Sequence, residues 1–308
     1  MTPNPTPPSS PRPCRASPPA TPAARLRALL KQDGLITAPG VYDGLSAALV
    51  ARTGFTAAYL TGAGVAVAGF GLPDIGLLTQ SEMADRARTV VTALGRVPLI
   101  ADADTGYGAP LNVVRTVQEY ERAGVAAIQL EDQAFPKRCG HLPDKELIPE
   151  DDFVAKLTVA LEARRDCDTV IIARTDARAP LGLDAAIRRA ERYARAGADV
   201  IFVEAPESLA EIEHIAASVD APLLINMVQG GLTPDTAPDT LAALGYRVAI
   251  HPGALLAPYV LHGLEALTRL GGTLPEVTPG PQGLFELVGL RDWSAVGERY
   301  RRHTKDGA

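Results

Sequence analysis

Eight short apolar, β-branched runs recur along the chain, most ending in a polar residue and each followed by a longer segment with helical spacing: Leu35–Ala38, Ala57–Thr61, Pro98–Asp102, Ala126–Glu131, Thr169–Arg174, Asp199–Glu204, Pro222–Asn226 and Arg247–His251. A strand that is apolar throughout is buried on both faces, which suits a parallel sheet flanked by helices. Eight strand–helix units are the number that closes a barrel, so residues 25–308 are predicted to form a single α/β domain, a (β/α)8 barrel of TIM type. A doubly wound open sheet is the alternative. Helix punctuation agrees: Thr79 before Glu82 offers a capping box, Pro110 and Pro149 suit helix starts, and Ala-Gly at 123–124 and 196–197 suits helix ends.

Barrel enzymes build their sites where the strands end. Here those ends carry Thr61, Asp102, Asp104, Glu131, Arg174, Glu204, Asn226 and His251, and the two long connections, Gly62 to Leu78 and Asp132 to Ile148, open on the same side. With 308 residues, 46% of them hydrophobic, the chain can bury a large core. No apolar run reaches the roughly 18 residues of a membrane span. A net charge of −6 lacks the basic footprint of a nucleic-acid binder. A small-molecule partner is the expectation that remains. Cys14, Cys139 and Cys167 are too few and too scattered for a disulfide framework or a zinc site, which points to a reducing compartment, the cytosol by default.

The first 24 residues hold nine prolines, Arg12, Arg15 and no acid. Such sequence builds no core and reads as disordered, with an organelle transit peptide as the alternative. At the other end, Gly272–Ala308 carries Phe285, Leu287, Leu290 and Trp293 at near-helical spacing, as expected of a tail that packs on a neighbouring surface.

Three segments carry the chemistry. Asp102-Ala103-Asp104 closes the third strand, and Asp74, Glu131 and Asp132 lie on neighbouring loops. Hard oxygen ligands in an open shell suit Mg2+, which keeps waters for substrate oxygens to replace; a lone Asp-x-Asp would otherwise read as a loop cap. Lys137-Arg138-Cys139-Gly140-His141 sets a thiol among cations, a setting that favours thiolate. The plain alternative is a chance cysteine on a basic loop. Arg174 ends the fifth strand, where a guanidinium can fork onto a carboxylate, or merely pair with Asp176.

Together these segments resemble the isocitrate lyase/phosphoenolpyruvate mutase superfamily, over about Pro39 to His251, and within it the lyase branch of 2,3-dimethylmalate lyase, petal death protein and 2-methylisocitrate lyase. The resemblance implies Mg2+, with Mn2+ as an alternative, bound directly by Asp102 with Asp74, Asp104 and Glu131 in the hydrated shell. It makes Cys139 the acid that protonates the carbanion product, with Arg174 and Glu204 as its catalytic companions. Thr61, Gly62, Ala63, Gly140, His141 and Asn226 would contact substrate. His141 and Lys137 would tune Cys139 or anchor its loop, and His251 has no assigned part. The implied reaction is cleavage of a 2-hydroxy di- or tricarboxylate to an α-keto acid and a carboxylate, the base being Asp74, Glu204 or a metal-bound water. A phosphonomutase acting on carboxyphosphonoenolpyruvate or phosphoenolpyruvate, an oxaloacetate decarboxylase or hydrolase, and a non-catalytic carboxylate-binding protein are the alternatives. The family's exchanged C-terminal helices imply a homodimer or homotetramer. Val203-Glu204-Ala205-Pro206 and Arg174–Pro180 look most like the dimethylmalate group, which favours a 2-alkylmalate substrate.

Overall fold

The computed structural model describes residues 21–305, with side chains described as far as residue 300. Eight strands, β1 (Ile36–Val41), β2 (Ala58–Leu60), β3 (Leu99–Asp102), β4 (Ala127–Glu131), β5 (Val170–Thr175), β6 (Val200–Val203), β7 (Leu223–Asn226) and β8 (Tyr246–His251), pair in sequence order into a closed barrel. All pairings are parallel, including β8 with β1, where Pro39 stands opposite His251. The expected α/β barrel is therefore the observed fold.

Strand residues alternate between two apolar clusters. Tyr59, Ile100, Ile172, Phe202 and Leu224 fill the barrel interior, while Leu60, Ala101, Ile171, Ile201 and Ile225 pack beneath the helices. This parity selects the site. Counting two residues on from the inward set reaches Thr61, Asp102, Arg174, Glu204 and Asn226, and the same parity carries Gln129 to Glu131. His251 has the opposite parity, next to the inward Ile250. That is why this strand-end histidine does not line the central cavity.

Helix Pro22–Leu30 was not anticipated. Thr21 caps it by accepting from the Ala24 amide at 3.1 Å, so folded structure begins before the predicted boundary at residue 25. Its Ala23 and Leu26 join the barrel-interior cluster from the end opposite the site. Asp199 then accepts from Arg27 at 3.0 Å and from Arg164 at 2.8 Å, fastening the helix across the barrel floor. The expectation of disorder for the Pro-rich N-terminus otherwise lies outside the described residues. Cys139 is a free thiol.

The connection after β2 is not a plain loop. Thr61 caps Gly62–Val65, and a π-helical turn, Ala66–Phe70, follows and stops at the left-handed Gly71. After β8, helix Leu256–Arg269 buries only Leu256 and leaves Tyr259, Leu261 and Leu267 exposed. The chain then returns through Pro281–Glu286, where Phe285 and Leu290 close on Leu142, with Ala63, Val67, Ile75 and Cys139 packed against them. No helix among the described residues is long and apolar enough to cross a membrane.

Candidate active site

A cavity of 360 Å³ opens at the strand ends, with Tyr59, Thr61, Ala63, Asp74, Asp102, Lys137, Cys139, Gly140, His141, Arg174, Glu204 and Asn226 among the residues that line it. Sequence-predicted residues from five strand ends and both long connections thus meet at one place. Gly62 lies against Asp102, where an added Cβ would come within 2.8 Å of Oδ2. Asp104 and Glu131 are buried just behind the wall.

On the metal side, Asp102 Oδ1 accepts from the Asp104 amide at 3.1 Å and faces Gln129 Nε2 at 3.4 Å, while Oδ2 looks toward the Gly62 turn. Asp104 sits at φ +46°, a left-handed backbone that turns its carboxylate back toward Asp74 and Lys137. Lys137 pairs with Asp74 and lies 2.8 Å from Asp104. Burial pushes the Asp104 carboxyl up to about 7, against the pull of Lys137. Burial likewise raises Glu131, whose Oε1 is enclosed without a hydrogen-bond partner. Six buried carboxylates, Asp74, Asp102, Asp104, Glu131, Asp176 and Glu204, face three buried cations, Lys137, Lys145 and Arg174. A dianionic substrate entering this excess of negative charge needs positive charge to come with it. Among the described residues no three His, Cys, Asp or Glu side chains converge closely enough to hold an ion unaided. The donor set therefore fits an ion that takes one or two protein oxygens and fills its shell with water and substrate, as Mg2+ does.

Arg174 does not present a free fork. Its Nε and Nη2 donate to Asp176 at 2.9 and 3.0 Å, Nη2 also lies 3.1 Å from Glu204, and the guanidinium stacks 5.2 Å above Phe202. The Arg174–Asp176 pair is real but buried, and Nη1 is left without a hydrogen-bond partner among the described residues. Burial alone would raise Asp176, yet Arg174 and Lys145 outweigh it and hold the carboxyl at about 2.

The Cys139 loop also differs from expectation. Adjacency along the chain suggested a thiol bathed in positive charge, but Lys137 turns to the acids and Arg138 turns outward to Asp144 and the Pro143 carbonyl. Burial, reinforced by Asp74, pushes the Cys139 thiol up to about 12, with a His141 backbone amide pulling the other way. The group is held as a thiol, the form an acid requires, and not as a thiolate.

His141 is held by geometry. The Leu232 amide donates to Nδ1 at 3.2 Å, so Nδ1 carries no proton and the neutral ring bears its proton on Nε2. Nε2 faces Glu204 at 3.7 Å and Asn226 at 3.3 Å, and burial lowers the ring's pKa. Of the two parts allowed to His141, anchoring the loop is the one this geometry supports. Gly231 permits the contact, since an added Cβ would come within 2.9 Å of the ring. Glu204 is further fixed by the Ala205 amide at 2.8 Å, with Ala205 at φ +55°. That strained backbone sits at the site it serves.

Sequence reasoning missed Tyr59, Gln129, Lys145 and the Val228–Gly231 turn. Strand parity marks the first two, since Tyr59 and Gln129 lie two residues before Thr61 and Glu131 and bond each other at 3.2 Å inside the barrel. The other two depend on tertiary contacts that leave no local pattern.

Comparison with known proteins supplies an independent reading. Residues 26–269 match the family model described as phosphoenolpyruvate phosphomutase. The chain is 47% identical over 232 residues to the 2,3-dimethylmalate lyase of Eubacterium barkeri, covering 75% of this chain and 80% of that one. It is 48% identical over 231 residues to the 2-methylisocitrate lyase of Aeropyrum pernix, covering 75% and 74%. Among solved structures, oxaloacetate acetylhydrolase bound to 3,3-difluorooxalacetate superposes with a TM-score of 0.80 at 39% identity, over 91% of this chain and 97% of that one. A phosphonopyruvate hydrolase complex with oxalate and Mg2+ superposes with a TM-score of 0.71 at 33% identity, over 91% and 99%.

Proposed function

Since the chain belongs to the isocitrate lyase/phosphoenolpyruvate mutase superfamily, we propose that it is a divalent-metal-dependent carbon–carbon lyase that cleaves a 2-hydroxy dicarboxylate to an α-keto acid and a carboxylate. The observation that carries this reading is the meeting, in one cavity, of an acid cluster short of positive charge and a thiol held protonated.

Asp102 would hold the cation directly, with Asp74, Asp104 and Glu131 accepting from its waters. When bound, the ion draws electron density from the substrate 2-hydroxyl and adjacent carboxylate. Arg174 offers Nη1 to the same substrate end, its other nitrogens fixed by Asp176 so that the guanidinium plane does not turn. Glu204, which neither serves the ion nor pairs with Lys137, would accept the hydroxyl proton. As that proton leaves, the C2–C3 bond breaks and its electron pair passes to the departing carboxylate fragment. Cys139 then gives its proton to that carbon. Asn226 and His141 keep Glu204 aligned through the step.

The same pocket favours a compact substrate with an alkyl arm, of the 2-alkylmalate type. Above the charged floor its wall is made of Leu256, Val260, Leu261, Val277, Leu284 and Phe285. Among the described residues no further unpaired cation faces it, since His251 lies outside and Lys137 and Lys145 are paired. Sequence identity to the two lyases is nearly equal and does not choose between them. Competition kinetics do: kcat/KM for 2,3-dimethylmalate or 2-ethylmalate is expected to exceed that for 2-methylisocitrate by at least about tenfold, within the 1–3 kcal/mol scale of such pocket discrimination. The reverse order would reject the alkylmalate reading.

A second proposal concerns assembly. Tyr259, Leu267 and Leu270 leave an apolar helix face open to solvent, more than a lone chain would be expected to expose there. Exchange of this helix and the following tail between two copies would cover it. Sedimentation should return the mass of two or four chains; a single-chain mass would contradict the exchange.

A further inference from the structure

Two buried lysines on the connection between β4 and helix Glu150–Ala163 hold opposite sides of the site. Lys137 reaches Asp74 and Asp104, the same acids a divalent cation would draw upon. Lys145 turns the other way. Its ammonium donates to the Gly140 carbonyl and lies 3.3 Å from Asp176, with the side chain 1% exposed. Asp176 is also the carboxylate that fixes Arg174. The peptide between the two ends of this link is tightly seated: at Gly140 an added Cβ would come within 2.5 Å of both Arg174 Nη2 and Glu204 Cγ. Gly140 therefore rests directly on the groups that face substrate, one residue after Cys139.

We propose that Lys145 is a positioning residue for Cys139, tying the Gly140 carbonyl to Asp176 so that the loop bearing the thiol stays closed whether or not a cation occupies the acid side. The inference rests on the lyase reading only in giving Cys139 its part as acid; the latch itself is a matter of geometry. A cation drawn to Asp74 and Asp104 competes with Lys137 and weakens that anchor. Lys145 has no partner among those acids, so its hold is independent. One carboxylate, Asp176, then sets both the guanidinium of Arg174 and the height of the thiol above it. Lys145→Met keeps the length and apolar stem of the side chain and removes both interactions. Arg174 still neutralises Asp176, so the barrel is expected to fold.

The test is the rate at which iodoacetamide labels Cys139 in full-length protein with Mg2+ and no substrate, followed by peptide mass spectrometry. Loss of a buried, charge-assisted hydrogen bond is expected to speed labelling at least about tenfold in Lys145→Met, because loop opening exposes the thiol to the reagent. Lys145→Gln, which keeps a neutral donor, should fall between Lys145→Met and the parent. Labelling at the parent rate would overturn the latch. Should circular dichroism show Lys145→Met unfolded, Lys145→Gln decides alone, with faster labelling supporting the latch and the parent rate refuting it. Turnover measured separately on the same proteins keeps the two ideas apart: fast labelling without any lyase substrate leaves the latch and removes the reaction, and turnover with unchanged labelling does the reverse.

Discussion

Asp102→Ala is expected to lower kcat by about 10³- to 10⁴-fold, the rate equivalent of the several kcal/mol that a Lewis-acid ion contributes to charge stabilisation. The carboxylate stands at the end of β3 with Oδ1 fixed by the Asp104 amide and Oδ2 turned toward the Gly62 turn. Its neighbours are already engaged, since Lys137 pairs with Asp74 and Asp104 and Arg174 lies 3.4 Å from Glu131. The fold should survive, since removing one charge from a cluster of six carboxylates and three cations relieves repulsion. The melting temperature is accordingly expected to stay level or rise slightly. Mn2+ titration supplies a readout independent of turnover: the variant should lose the tight site. Activity within tenfold of the parent in the presence of chelator would remove the metal from the account.

Cys139→Ser is expected to cost about 10²- to 10⁴-fold in kcat, the range over which positioned general acids act, with KM little changed. A hydroxyl is a weaker acid than a thiol, even one that burial pushes up to about 12. The sign of the pH dependence separates acid from nucleophile. A group with so high a pKa is protonated throughout the neutral range, so the defect should be the same at about pH 6.5 and about pH 8.5. A thiolate nucleophile would instead give a defect that grows as pH rises. A serine variant that turns over at the parent rate would leave Cys139 as a packing residue beside Phe285 and Leu142.

The sequence showed the barrel because parallel strands buried on both faces leave continuous apolar runs, and each of the eight runs overlaps an observed strand. The inward residues at the strand ends followed from the same runs, since side chains alternate with a period of two. What could not be read was direction in space within a loop. Lys137, Arg138, Cys139 and His141 are neighbours along the chain, yet they point respectively at the acids, at Asp144, into the cavity and toward Glu204. The cationic thiol expected from adjacency became a half-buried thiol facing carboxylates for that reason. Lys145 and the Gly231 turn were invisible for a related one: their partners are 31 and 90 positions away, at Asp176 and His141. The N-terminal helix was hidden by the prolines before it, although Thr21-Pro22 is itself a helix start, a capping residue followed by proline in the first turn.

Product analysis in D2O distinguishes carbon–carbon cleavage from decarboxylation and hydrolysis. Full-length protein with Mg2+ is given 2,3-dimethylmalate and, in parallel, oxaloacetate, and all products are identified by mass spectrometry and NMR. Carbon–carbon cleavage with protonation from Cys139 predicts one α-keto acid for each carboxylate from the alkylmalate, the carboxylate carrying a single solvent-derived deuterium at the carbon that was broken. Intact 2,3-dimethylmalate alongside conversion of oxaloacetate, whether to carbon dioxide and pyruvate or to oxalate and acetate, would contradict the account and give this cavity to a decarboxylase or a hydrolase.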